Sequence, residues 1–209
     1  MRRFVFSSLL VAAAAGCTSS SGVPPPPPEA GAPDDGPIFP CALGFLGEKT
    51  KPVEIKLIAR GADEKSVDLA DGDKVALILP PQGGRVIFVG VKATNISPCT
   101  VKVTGSFRDA TSKQVRVDAR TLNLVAAGDG WGAATDSDIS TFSNVPMCPN
   151  QWATTDIFDN VFELTVAVED PNGRKASKTI KATPTCAEPA YRAECLCQCK
   201  KGYVLGHPC

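Results

Sequence analysis

Nine cysteines, one histidine and several closely spaced aspartates are the residues of this 209-residue chain whose chemistry could go beyond packing. The cysteines are Cys17, Cys41, Cys99, Cys148, Cys186, Cys195, Cys197, Cys199 and Cys209, and the only histidine is His207. Cys195, Cys197 and Cys199 alternate with single residues, a set that with His207 could offer thiolates and an imidazole to a soft metal. Structural zinc sites favour two residues between paired cysteines, and thiolates exposed to an oxidising compartment become disulfides. Bridges are therefore the expected fate of these sulfurs, with no metal. Asp68, Asp71 and Asp73 in DLADGD, and Asp136 and Asp138 in TDSD, are spaced to share a calcium ion. Neither stretch brings the six or more oxygens such an ion takes, and solvated turns are rich in aspartate, so turns are expected.

The templates for catalysis are missing. A nucleophilic triad would have to recruit His207 from between Gly206 and Pro208, and there is no G-x-S-x-G, H-E-x-x-H or G-x-x-x-x-G-K. Gly128-Asp-Gly130-Trp131-Gly132 lacks the dinucleotide spacing and follows no βαβ pattern, so it reads as a turn. The expectation is a protein that is not an enzyme and carries no cofactor. The competing class is a hydrolase using paired Asp and Glu carboxylates that only folding brings together.

The first 16 residues carry a different message. Arg2 and Arg3 precede an apolar run from Phe4 to Ala15, broken only by Ser7 and Ser8, which suits a signal peptide and is too short to span a bilayer. Its end, Ala14-Ala15-Gly16-Cys17, resembles the lipobox of bacterial lipoproteins. That resemblance implies cleavage before Cys17 and attachment of a diacylglyceryl chain to its sulfur. The cysteine count agrees: nine is odd, and setting Cys17 aside for lipid leaves eight that can pair in an oxidising compartment. Thr18 stands where the inner-membrane retention signal has Asp, which points to the outer membrane of a bacterial envelope.

Residues 17–37 are a Pro- and Ser-rich linker with an unbroken run from Pro24 to Pro28. Such a segment has too little apolar surface to offset the entropy of ordering, and polyproline stiffness makes it a spacer of roughly 3.1 Å per residue. The chain has 22 basic and 22 acidic residues, two of the basic ones in the leader, and no basic stripe. Nucleic acid is therefore not an expected partner, because neutralising phosphates dominates that kind of affinity.

Residues 38–185 must supply the scaffold. Val53–Ala59, Lys74–Pro80, Arg85–Asn95, Thr100–Phe107, Val115–Val125, Phe162–Asp170 and Lys175–Thr183 are apolar or alternate with period two. Val101, Val103 and, across a glycine, Phe107 fall on one face, as do Leu164, Val166 and Val168. Turn chemistry separates the segments, with Pro171-Asn172-Gly173 placed for a tight hairpin. No helical stripe of ten residues occurs. The pattern predicts an all-β protein, an immunoglobulin-like or fibronectin-like β-sandwich with a C-terminal disulfide-rich tail.

The tail, residues 186–209, holds five cysteines and almost no aliphatic core. In an extended chain Cys195, Cys197 and Cys199 point the same way, and near neighbours rarely bond. Cys186 and Cys209 can serve two of them, so the third bridge must reach back into the sandwich. Counting strands between cysteines favours Cys148 for that role and leaves Cys41 to pair with Cys99, one choice among the 105 open to eight cysteines. The stretch from Cys197 to Cys209, with Gly202-Tyr203 inside it, resembles the closing half of an epidermal growth factor-like module. That resemblance implies a Cys199–Cys209 bridge.

The remaining expectation concerns binding. Trp131 and Trp152 are the only tryptophans, both set among polar turn residues, and such rings anchor interfaces at small entropic cost. Trp152, beside Cys148, reads as a cap on the end of the sandwich. Trp131, with Asp129, Asp136 and Asp138 around it, reads as a binding loop. The sequence thus points to a lipid-anchored, non-catalytic binding or scaffolding protein whose partners are the membrane through Cys17 and an envelope protein or glycan. A metal-holding role for the Cys-rich tail is the other alternative.

Overall fold

The computed structural model describes residues 42–209; the leader, the Pro-rich linker, Cys17 and Cys41 lie outside the described residues. Among the described residues eleven strands form: β1 Glu54–Arg60, β2 Ser66–Leu69, β3 Lys74–Ala76, β4 Arg85–Thr94, β5 Val101–Arg108, β6 Val115–Leu122, β7 Val125–Gly128, β8 Trp131–Ala133, β9 Ser143–Cys148, β10 Phe162–Glu169 and β11 Lys175–Thr185. One short helix, α1, spans Arg192–Gln198. The first sheet runs β2-β1-β4-β8-β7, with β9 also paired to β4; the second runs β3-β11-β10-β5-β6. All pairings are antiparallel except β3 with β11.

The two sheets bury their alternating faces against each other, which is the expected β-sandwich. Val101, Val103 and Phe107 of β5 and Phe162, Leu164, Val166 and Val168 of β10 meet Leu57 and Ala59 of β1 and Ile87, Val89 and Val91 of β4 in one core. Each such side chain contributes about 1.5–3 kcal/mol when fully buried. Gly105 interrupts the apolar face of β5 because the sheets close there: a Cβ at this position would lie 2.5 Å from Val89 and 3.0 Å from Val145.

Strand β4 is buried on both faces. Its outward residues Val86 and Phe88 pack with Ile58, Ile78, Ala134 and Phe142 in a second, smaller cluster. This explains why the segment reads as a continuous apolar run rather than an alternation. Its far edge is shared, with β9 pairing along Arg85–Val89 and β8 along Lys92–Thr94.

Two expectations shift, and three strands arise where none was expected. Lys74–Pro80 yields only the three-residue β3, with Ile78 bridging singly to Val86. Val115–Val125 divides into β6 and β7, because Leu124 turns inward and donates its N–H to the carbonyl of Pro98, leaving the second sheet for the first. Strands β2, β8 and β9 carry no long alternation, and Pro146 within β9 argues against a strand. Proline is tolerated because β9 ladders only with β4; toward β6 it makes side-chain contacts instead, Asn144 N–H donating to Asp118 at 2.8 Å and the Ser143 hydroxyl to the Asp118 carbonyl at 2.8 Å.

The β10–β11 hairpin follows its turn chemistry. Asp170 and Arg174 close the loop, the Gly173 N–H donates to the Asp170 carbonyl, and φ is +77° at Gly173. The buried Asp170 carboxylate accepts the N–H groups of Asn172 and Arg174 and, across the sandwich end, that of Ser97. Arg174 then fastens the segment preceding β1. Its guanidinium donates to the carbonyls of Asn95 and Lys49 at 2.9 Å each and to that of Lys51, and lies 5.5 Å from the Phe45 ring centroid. Arg174→Ala is expected to loosen this segment by about 1–2 kcal/mol, so amide exchange at the Leu46–Ile96 bridge should quicken by roughly 10-fold. Unchanged exchange at those two amides would show that the guanidinium holds nothing.

Candidate functional site

Two regions collect the residues singled out by type: the stapled tail and the outer face around Trp131. The tail is not extended. Helix α1 places Cys195 and Cys199 one turn apart on the inward side, 2% and 0% exposed, and turns Cys197 about 200° away from Cys195. The bridges follow that rotation. Cys199 bonds to Cys148 at the end of β9, Cys195 to Cys186, and the outward Cys197 to Cys209. Cys148 therefore ties the tail to the sandwich as expected. The Cys199–Cys209 pairing implied by the growth factor-like pattern is corrected: a helical turn, not a hairpin strand, carries these cysteines and gives Cys209 a different partner. Cys99 is also disulfide-bonded; Cys41, its expected partner, lies outside the described residues.

The tail completes the main core rather than forming one of its own, since Cys186, Cys195 and Cys199 pack into it. Around them the backbone of residues 149–157 is bound to the tail, with Asn150 donating its N–H to Gln198 at 2.9 Å and Ile157 to Cys199 at 2.8 Å. Beside this, Arg85 is 0% exposed, its guanidinium reaching the carbonyls of Gly84 and Tyr191 and, at 3.4 Å, the Glu194 carboxylate of α1. The sulfurs of Cys186, Cys195 and Cys199 lie within 4.8 Å of one another, with Cys195 and Cys199 Sγ 4.0 Å apart. Each is spent in a bridge, so the group offers disulfide sulfur rather than the thiolate a metal takes.

Trp152 caps this end as expected. It is 6% exposed, donates Nε1–H to the Met147 carbonyl at 2.9 Å and packs on Phe162 with centroids 5.6 Å apart. The loop carrying it is held by Asp109, a residue the sequence reading passed over. Its buried carboxylate accepts both the N–H and the hydroxyl of Thr154, at 2.5 and 2.8 Å, and the N–H of Thr111 at 2.7 Å. Burial pushes the Asp109 carboxyl up, but these donors overcome it and hold it at about 2.

Trp131 sits half-buried on β8, on the outer face of the first sheet. The β7–β8 hairpin turns through Asp129 and Gly130, both left-handed at φ +49° and +75°, as a two-residue Asp-Gly loop requires. Thr94 fixes the turn by donating its hydroxyl to the Gly130 carbonyl at 2.8 Å. Lys56 of β1 lays its ammonium 4.8 Å from the Trp131 ring centroid. One row along, Lys92 of β4 stands opposite Lys56 and pairs with Asp68 of β2 at 2.5 Å. The face is thus a half-open indole with the Lys56 ammonium over it and Asp129 at the hairpin tip, while the Lys92 ammonium is drawn away across β1 to Asp68. Lys56 joins Trp131 through strand order, which the sequence does not state.

The other aspartates do not gather there for ligand binding. Asp136 accepts the hydroxyl of Ser66 on β2, and this bond foremost lowers its carboxyl below the usual range. Asp138 caps the 3-10 turn Ile139–Thr141, accepting the hydroxyl and N–H of Ser140, which lower it likewise. Asp71 and Asp73 accept the N–H groups of Lys181 and Ala70, so DLADGD is the expected turn.

What fold and site together define is a β-sandwich stapled to its own C-terminal tail and presenting one half-open tryptophan on a sheet face. No known protein family, curated protein or solved structure matches the chain.

Proposed function

We propose that this is a lipid-anchored lipoprotein of a bacterial envelope, with the outer membrane as its site, whose sandwich acts as a non-catalytic binding or scaffolding module for an envelope protein or glycan. The observation that carries the reading is Ala14-Ala15-Gly16-Cys17 after a basic and apolar leader, in a chain whose cysteine count becomes even when Cys17 is set aside. The fully bridged state of Cys99, Cys148, Cys186, Cys195, Cys197, Cys199 and Cys209 supports it, because such bridges persist outside a reducing cytosol. The Trp131 face supports the binding role: an indole beside a lysine stacks on a sugar ring or a partner's side chain while the Lys56 ammonium takes its polar atoms.

Mass spectrometry of the mature full chain tests the anchor. A diacylglyceryl-modified Cys17 at the amino end is expected, and an unmodified amino end refutes the lipoprotein. Trp131→Ala in the lipidated chain tests the face. A central aromatic anchor carries 2 kcal/mol or more, so capture of the partner by crosslinking in intact envelopes should fall about 30-fold. Capture unaltered by the substitution places binding elsewhere.

A further inference from the structure

We propose that the loop closed by Cys197–Cys209 is a finger that seats on an anionic lipid surface. Val204 and Leu205, at 58% and 67%, are the most exposed large hydrophobic side chains among the described residues, and they are adjacent at the tip of this loop. Nothing loose holds them there. The ring closes a sequence separation of 12 and turns at Gly202 and Gly206, with φ +72° and +89°. Tyr203, half-buried, donates its hydroxyl to the His207 carbonyl at 2.8 Å, and His207 donates its N–H to the Val204 carbonyl at 3.1 Å. A pre-organised ring of this kind binds without the entropic cost of ordering.

The charge around the tip selects the partner. Lys200 and Lys201 are exposed at the base, neither ammonium has an ion-pair partner among the described residues, and no acidic side chain occurs between Cys197 and Cys209. The nearest acidic contact is Asp156, which accepts the Lys201 N–H at 2.7 Å and so tethers the base to the 149–160 loop. An aliphatic tip, then a tyrosine, then a pair of lysines is the order of a bilayer interface from hydrocarbon through glycerol to phosphate. Lysine stems can lie along the apolar boundary while their ammonium groups reach headgroup oxygens. This inference does not depend on lipid at Cys17.

Residues 42–209 lie in one compact unit that contains the whole main core, so the oxidised chain lacking residues 1–17 is the protein to test. The probes are vesicles of phosphatidylcholine alone and of phosphatidylcholine mixed with phosphatidylglycerol, read by co-sedimentation. Each lysine near an anionic surface is worth about five-fold, so the mixed vesicles should bind about 25-fold more tightly, and high salt or the K200A/K201A pair should abolish the difference. Leu205→Glu should weaken binding to the mixed vesicles by about 10-fold or more, with circular dichroism and thiol count unchanged because Leu205 is largely exposed and outside both core clusters. Absence of sedimentation with the mixed vesicles overturns the proposal, as does binding that both variants leave intact; an apolar pocket on a protein would then be the occupant.

Discussion

Replacing Cys148 and Cys199 together by alanine is expected to lower the unfolding free energy by about 4 kcal/mol, the largest effect among the three bridges that join the tail. The reason is sequence separation: this bridge closes 51 residues, against 9 for Cys186–Cys195 and 12 for Cys197–Cys209. Restricting the unfolded chain through the shorter loops gives about 3 kcal/mol each on the same reasoning. Location sharpens the ranking. Cys148 and Cys199 are 7% and 0% exposed, so alanine also leaves a small void, whereas Cys209 is exposed and its loop unravels into solvent. For a domain of this size the melting temperature should fall by about 8–16 °C. Calorimetry on the C148A/C199A and C197A/C209A pairs checks the order, and an equal or smaller shift for the first pair would mean the tail is peripheral to the core.

The second large effect is at Asp109. Asp109→Ala removes the acceptor for Thr154 and Thr111 and is expected to cost about 3 kcal/mol, because the Thr154 N–H and hydroxyl lose their partner in a part-buried site. The ionised form is the one being stabilised: the folded carboxyl titrates at about 2, below its ordinary 3.8. Its contribution, about 2 kcal/mol, is therefore complete above roughly pH 4 and is lost as the pH falls toward 2. Urea unfolding of the native protein and of Asp109→Asn should converge as the medium is acidified through that window. A gap between them that stays constant from neutral pH to pH 2 would remove Asp109's charge from the account.

How far the fold was legible depended on how each segment is buried. Strands β5 and β10 bury one face, and their alternation shows in Val101, Val103 and Phe107 and in Leu164, Val166 and Val168. Strand β4 was legible for the opposite reason, being covered on both faces. Strands β8 and β9 were hidden because their identity comes from lying beside β4, not from their own residues, and Pro146 counts locally against the strand it occupies. The tail misled in another way. Seven residues are too few for a helical stripe to register, yet that single turn exchanges the partners of Cys199 and Cys209. At the candidate site Trp131 stood out as a residue type, while Lys56 reaches it only because β1 and β8 flank β4. Asp109 gave no signal, because a carboxylate serving a loop 45 residues away looks like any aspartate in a turn.

Because Cys186, Cys195 and Cys199 belong to the main core, a ribosome delivers essential filling only after every strand has been made. An emerging chain stopped short of residue 186 has both sheets encoded but no lid for the end where Met147, Trp152 and Ile157 meet. Translation order thus leaves that end of the core unfilled until the tail itself has been made.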